Sequence, residues 1–440
     1  MSTELQRTIS RNDVALLVVG SVIGSGIFLV PGGVLTQSGG SVGLAMVAWL
    51  FGGFLSLLGA LTYAELGAMQ PHAGGLYLYI RDAFGPVLAF LYGWVIFFCI
   101  CAGTIATLAV ASSKYLQAFI PMGEPVRKIV SVLLVAIIAV INIRGTRISV
   151  RALNVATALK VGALAFIIVS LPLLGSGWKQ VGSLWPADIN GAVLSGVGLA
   201  MISVLWAYEG WSYVTFSAGE VKDPQKNLPS GLIIGTVALI VIYVLANVAY
   251  IAALGPDGVA KSSTVAADSM NLVFGPTAAT LIAIPIIISM MSAAHSVLLT
   301  MPRVYFAMAR DRVFFEKLGE VHPRFGTPAF AVAAGAAVAA IYSLVGTFQQ
   351  LLGYVVFVAW IFYAIAAACV IRFRKTRADW PRPFKVPGYP ITPIIFILSA
   401  AAIVGNTIVQ QPWQQTAIAF GIMGAGIPAF ILWKSRQTKT

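Results

Sequence analysis

The sequence predicts an all-α integral membrane protein of about twelve spans, and three observations carry that expectation. Of 440 residues, 59% are hydrophobic and 10% charged, with a mean hydropathy of +0.89. That is more apolar surface than one soluble core can hide. Apolar runs recur from end to end, each near the ~20 residues that cross a bilayer as a helix. Two of these runs are interrupted at mid-depth, the first by Gly24-Ser25-Gly26 and the sixth by Trp206-Ala207-Tyr208-Glu209-Gly210.

The spans are predicted at Val14–Leu35, Val42–Tyr63, Pro86–Ala111, Ile129–Ile143, Ala152–Leu174, Ala192–Phe216, Leu232–Leu254, Ala278–Met301, Ala329–Val345, Leu351–Ile371, Ile391–Val409 and Thr416–Trp433. The first follows Arg7 and Arg11, lacks a small-residue cleavage pattern and precedes further spans, so it is expected to be an uncleaved anchor. Glu65, near the end of the second, reads as an interfacial residue. The third holds Cys99 and Cys101 and the tenth holds Cys369. No cysteine falls in an outer loop, so neither a disulfide framework nor a metal cluster is implied, and no cofactor is expected. The fourth is short. The fifth carries Lys160, and the eighth carries Ser289, Ser292 and His295.

A net charge of +13 would point to nucleic acid in a soluble protein, but here its distribution is topological. With the N-terminus inside, about 22 of the 28 Lys and Arg fall in cytoplasmic segments, the bias expected of cytoplasmic loops. Arg303–Arg324 and Arg372–Lys385 are the densest clusters. Both termini are therefore expected in the cytoplasm, with the basic loops facing lipid headgroups and no nucleic-acid partner.

The interruptions have a chemistry of their own. Unwound backbone inside a bilayer survives only where protein or a wet cavity surrounds it, because unpaired N–H and C=O groups cost several kcal/mol each in lipid. The half-helix after Gly26 offers free N–H donors, which suit a carboxylate, while the half-helix ending near Val22 and Ile23 offers free carbonyls, which suit an ammonium. Together they describe an α-amino acid. Glycine allows backbone to approach such a ligand without a Cβ in the way. Gly-Ser-Gly alone is ambiguous, since small residues also serve close helix packing; a second break in the sixth span favours the binding reading. Paired interruptions five spans apart are the pattern of inverted repeats meeting at the midplane, predicting one domain over 1–440 with repeats at about 12–175 and 190–372 and a final pair at about 388–433.

Several motifs resemble those of the amino acid-polyamine-organocation transporters, especially their L-amino acid transporter branch. They are Gly24-Ser25-Gly26-Ile27-Phe28; Ala207-Tyr208-Glu209-Gly210-Trp211 followed by Gly219-Glu220-Val221-Lys222-Asp223-Pro224-Gln225-Lys226-Asn227-Leu228-Pro229; Pro71-His72-Ala73-Gly74-Gly75; Arg303-Val304-Tyr305-Phe306-Ala307-Met308-Ala309-Arg310-Asp311; and Pro383-Phe384-Lys385-Val386-Pro387-Gly388-Tyr389-Pro390. The resemblance spans essentially the whole chain and implies a LeuT-type five-plus-five fold with broken first and sixth helices. It also implies that the substrate carboxylate sits on backbone amides at Ser25 and Gly26 and its amine on carbonyls at Val22, Trp206 and Glu209. Trp206 would close over it from outside. The implied substrate-contacting stretches are thus Val22, Ile23, Gly24, Ser25, Gly26 and Ile27 with Trp206, Ala207, Tyr208, Glu209 and Gly210.

Lys160 is the most discriminating single charge. A cation inside a span costs at least ~2.5 kcal/mol by insertion scales, so it needs oxygen partners. The resemblance places it beside the first and eighth spans, where sodium-driven relatives of the fold hold a sodium ion and where Ser289 or Ser292 could supply hydroxyls; snorkelling to the interface is the other reading. Glu209 departs from the small residue usual in animal members. It could select basic side chains, carry a coupling proton, or cap backbone donors freed by unwinding, the reading favoured here. His295 reads as a satisfied packing histidine rather than a proton relay.

Scattered histidines without paired carboxylates argue against a membrane-embedded enzyme site, and two localised breaks fit a single occluding site better than a continuous pore. The resulting expectation is a bacterial inner-membrane carrier that moves L-amino acids by alternating access without sodium, as an exchanger of neutral substrates. Proton-coupled uptake of cationic or polar amino acids is the alternative that Glu209 keeps open. Animal members join a glycoprotein through a cysteine between the third and fourth spans; Ser112–Lys128 has none, so no disulfide-linked heavy subunit is expected.

Overall fold

A computed structural model describes residues 7, 9–72, 74–144, 146–410 and 413–437. Its helices are α1 (Arg11–Val22), α2 (Gly26–Leu29), α3 (Pro31–Gln37), α4 (Val42–Met69), α5 (Leu76–Phe84), α6 (Pro86–Val95), α7 (Ala102–Leu116), α8 (Glu124–Arg144), α9 (Thr146–Leu174), α10 (Gly191–Ala207), α11 (Pro224–Lys261), α12 (Val265–Phe274), α13 (Pro276–Thr300), α14 (Pro302–Arg310), α15 (Ala329–Val345), α16 (Phe348–Thr376), α17 (Ile391–Gln410) and α18 (Trp413–Gln437). Among the described residues there is no strand, only an isolated bridge between Ile9 and Val221. Among the described residues ten helical stretches are long and apolar enough to cross a membrane. The 17-residue α10 and α15 supply the sixth and ninth spans.

Local chemistry sets most of the starts. Ser10 and Asp13 form a reciprocal capping box on α1, Ser41 caps α4, Asn190 caps α10, and Thr347 with Gln350 boxes α16, each satisfying amides that a helix start leaves free. Proline opens α3, α6, α11, α13 and α14, where its missing N–H costs nothing. The fourth span is not short: α8 runs 21 residues. The seventh runs from Pro224, and its predicted end at Leu254 coincides with a kink at Gly255, whose φ is +69°. The sixth is interrupted where its sequence places the break: it stops at Ala207 and resumes as a 3-10 stretch over Tyr213–Glu220.

The third span, α6 and α7 joined by a π-helical turn over Ile96–Cys101, runs through the middle of the molecule and packs α7 against α8, α13, α15 and α16. The fourth, fifth and twelfth spans lie outermost. The helix α11 packs on α1, α4 and α9. All three cysteines are free and buried. Ala73 of the Pro71–Gly75 motif and the side chain of Arg151 lie outside the described residues, as do the chain ends.

Glu65 corrects the sequence reading. It is fully buried rather than interfacial. Its carboxylate accepts from Arg374 Nη2 at 2.6 Å and Nε at 3.0 Å and from the Val386 amide at 2.7 Å, with Arg382 Nε at 3.7 Å. The guanidinium of Arg374 lies 3.8 Å over the ring of Tyr389. These contacts fasten the Pro383–Pro390 segment onto α4. On the same side of the molecule Arg303 pairs with Glu220 at 2.9 Å, and Ile9 donates to the Glu220 carbonyl at 3.0 Å and accepts from the Lys222 amide at 2.8 Å.

Candidate functional site

The two interruptions face each other. Trp206 Nε1 donates to Ser25 Oγ at 3.1 Å, and Gly210, at φ +117°, lies so close to Ser21 that a Cβ would meet its carbonyl oxygen at 3.1 Å. Between them is a cavity of about 20 Å³, room for about one water, lined by Ser21, Val22, Gly24, Ser25, Gly26, Thr104, Leu108, Trp206, Glu209, Tyr213, Ala293 and Val297. Val22, Gly24, Ser25, Gly26, Trp206 and Glu209 thus converge on one space. Ile23, Ile27, Ala207 and Tyr208 are buried beside it without lining it. The indole of Trp206 is nearly buried and meets Phe348 edge-on at 6.5 Å.

Among the described residues no acceptor within the protein is found for the amides of Ser25, Gly26 and Ile27, as the first turn of a helix requires. The half-helix behind them is short, α2 having four residues before the chain turns at Val30 into α3. Local N–H donors, more than a long helix dipole, are what the break offers an anion.

The carbonyl side requires a correction. Ile23 O accepts from Lys160 Nζ at 2.9 Å and from Ser289 Oγ at 2.9 Å, so it is not free for a ligand ammonium. Val22 O accepts from Tyr243 Oη at 3.2 Å, and Trp206 O from the Glu209 amide at 3.0 Å. The Tyr208 amide also points to Trp206 O, whereas the Val22 carbonyl retains a second lone pair.

Lys160 does not snorkel. It is fully buried, and its ammonium donates to Gly20 O at 2.6 Å, Ile23 O at 2.9 Å and Ser292 Oγ at 2.8 Å. Ser292 Oγ in turn donates to Ser289 O at 2.9 Å. Three oxygens therefore satisfy the three donors of the ammonium, joining the end of α1 to α13 through α9. Of the two serines, Ser292 touches the lysine and Ser289 holds the same carbonyl from another direction.

Glu209 also departs from its favoured reading. Its Oε1 accepts from Tyr213 Oη at 3.0 Å and from Tyr363 Oη, so two phenols hold it and, among the described residues, no backbone donor does. His295 is only half satisfied: Nδ1 lies 2.8 Å from Asn142 Nδ2, while Nε2 has no partner. Gly26 plays a part that the close-approach argument missed, since a Cβ there would fall 2.6 Å from that of Ala207. It lets α2 pack on the broken sixth span as well as line the cavity.

Tyr243 escaped sequence reasoning. Its hydroxyl lies 2.9 Å from Ala207 O and 3.2 Å from Val22 O, bridging the ends of both broken helices from α11. One tyrosine among 14, inside an apolar run, carries no local signal. Thr104, Leu108 and Ala293 were likewise invisible, as third- and eighth-span side chains that only tertiary packing brings to the break.

The family described as amino acid permease matches residues 9–430. The chain is 32% identical over 425 residues to the serine/threonine exchanger SteT of Bacillus subtilis (strain 168), covering 96% of this chain and 95% of that one. It is 33% identical over 426 residues to the b(0,+)-type amino acid transporter 1 of Mus musculus, covering 94% and 86%. To the large neutral amino acids transporter small subunit 2 of Homo sapiens it is 31% identical over 424 residues, covering 94% and 78%. With a multi-pass helical fold, two facing helix breaks and a match along nearly its whole length, the chain belongs to the amino acid permease family of membrane transporters.

Proposed function

We propose that the protein is a sodium-independent exchanger of neutral L-amino acids that works by alternating access around the cavity between the two broken helices. The observation that carries this reading is the Lys160 cluster. A tethered ammonium takes three oxygens at the end of α1, where in sodium-driven carriers of the fold a metal ion would sit. The amides of Ser25 and Gly26 would hold the substrate carboxylate, and the second lone pair of the Val22 carbonyl its ammonium. Trp206 would close the cavity from the side of Phe348. The likeness to an exchanger whose name specifies serine and threonine favours small neutral substrates. The inverted repeats at about 12–175 and 190–372 would carry the two breaks through one cycle.

The chain would act alone in the inner membrane of a bacterium, with both termini in the cytoplasm. The cysteine-free loop over Ser112–Lys128 supports a single-chain carrier. The test is counterflow by purified protein in liposomes preloaded with each of the twenty amino acids, with L-serine and L-threonine first. Saturable exchange that persists when choline replaces sodium supports the proposal. Uptake driven only by a sodium or proton gradient would defeat it.

A further inference from the structure

A second cavity, larger than the central one, lies beyond Trp206, on the side of the break away from Ile9. It encloses about 460 Å³, against about 20 Å³ for the central one, which brings it within the ~300–1,000 Å³ range of small-molecule sites. Its floor includes Phe348, whose ring meets Trp206, so the floor of one cavity is the roof of the other. Leu29, on the half-helix that follows the break, lines it as well.

The charges in this cavity do not balance. Glu124 is engaged by Lys128 at 3.2 Å, and nearby Asp268 is held by Ser262 and Thr264. Among the described residues Lys114 has only the Ser263 carbonyl as a hydrogen-bond partner, at 3.3 Å. Arg127 forms no hydrogen bond or ion pair through its guanidinium among the described residues, and its Nε is shut off from solvent without an acceptor. A buried donor left unpaired is costly, and a cleft of one charge sign between low-dielectric walls attracts small counter-ions.

We propose that this vestibule is a second, transient site for the carboxylate of an amino acid on its way to the central cavity, with Arg127 and Lys114 as its anion ligands. The inference rests on the carrier reading above. The apolar wall of Leu29, Val345 and Phe348 would face the rest of the molecule in transit. A free halide could meet the same two cations, and the experiment separates the two sources.

The test is exchange of radiolabelled L-serine, or whichever of the twenty amino acids the wild type exchanges fastest, in liposomes sorted by orientation. Half-saturation is measured separately from the vestibule side and from the opposite face. Arg127→Gln should raise half-saturation from the vestibule side roughly five- to tenfold, leaving the other face and the maximal rate within about twofold. Lys114→Gln should act in the same direction and Arg127→Lys should restore most of the loss. Equal changes on both faces, or a fall in maximal rate alone, would mark Arg127 as structural and overturn the proposal. So would a chloride-dependent rate that disappears with gluconate in the wild type and is absent from Arg127→Gln. A wild type that exchanges no amino acid would defeat the carrier reading and this site with it, whereas an active wild type with an unsided variant would defeat the site alone.

Discussion

The ammonium of Lys160 stands 2.9 Å from the carbonyl oxygen of Ile23, at the point where the first span ceases to be a helix. That contact ties an interruption in one span to a charge 137 residues away in another. Lys160→Ala would remove one hydrogen bond each from Gly20 O, Ile23 O and Ser292 Oγ, at a cost of about 1–3 kcal/mol for each unmade bond. Exchange is expected to fall more than about tenfold, with a smaller loss of substrate affinity. Lys160→Arg, which keeps charge but not shape, should remain well below wild type. Wild-type rates in Lys160→Ala, or strict sodium dependence of the unmodified protein, would overturn this assignment.

Gly26 offers a sharper steric test. A methyl group there would fall against Ala207, so Gly26→Ala should already weaken L-serine binding, and Gly26→Val should abolish it, with about 1–3 kcal/mol of lost stability from overpacking. Gly33, where an added Cβ meets nothing, is the control: Gly33→Ala should stay within about 0.5 kcal/mol. Scintillation binding and thermal unfolding of the purified variants read both effects. Unimpaired binding in Gly26→Val would remove the amides of this break from the site.

Glu209 separates exchange from proton coupling. Glu209→Gln retains an acceptor for Tyr213 and Tyr363, so amino acid exchange should persist within about threefold of wild type, because the bonds lost are no stronger than ~1–3 kcal/mol and are partly remade. Glu209→Ala strands both hydroxyls and should lower both rate and thermal stability. If the glutamine variant lost all transport while substrate binding survived, a proton on Glu209 would be required and the exchange reading would yield to the coupled one.

Glu65 predicts a stability effect without a binding effect. Removing a buried carboxylate that faces two guanidinium groups costs ~3–5 kcal/mol. Glu65→Ala should therefore lower the unfolding temperature markedly, while Glu65→Gln, still able to accept from the Val386 amide, should be milder. Half-saturation for L-serine in the surviving folded protein should be unchanged. Equal stability of wild type and Glu65→Ala in detergent would show that the network contributes nothing.

What could be read in advance divides along the range of the interactions. Helix breaks are local events, so glycines and a carboxylate inside apolar runs announced the interruptions at Gly24 and Glu209. Lys160 announced a need for oxygen partners by its own cost in lipid. What it bonded was less legible, because Gly20, Ile23 and Ser292 each meet it across more than a hundred residues of chain. Glu65 was misread for that reason: its partner Arg374 lies 309 residues on, and a carboxylate near a span end has the same local pattern whether it faces water or a guanidinium. Tyr243 and Arg127 are ordinary residues by type, and only their surroundings make them informative.

Ile9 uses both of its backbone groups on the segment that follows the broken sixth span, giving its N–H to Glu220 and taking one from Lys222. The segment leading into the first span and the segment leaving the broken sixth are thereby joined, so that a movement of one would carry the other. Probes attached beside Ile9 and Lys222 would keep a constant separation through the whole cycle. A mutation that cut this short bridge would free the two halves to open at different moments, and the carrier would leak.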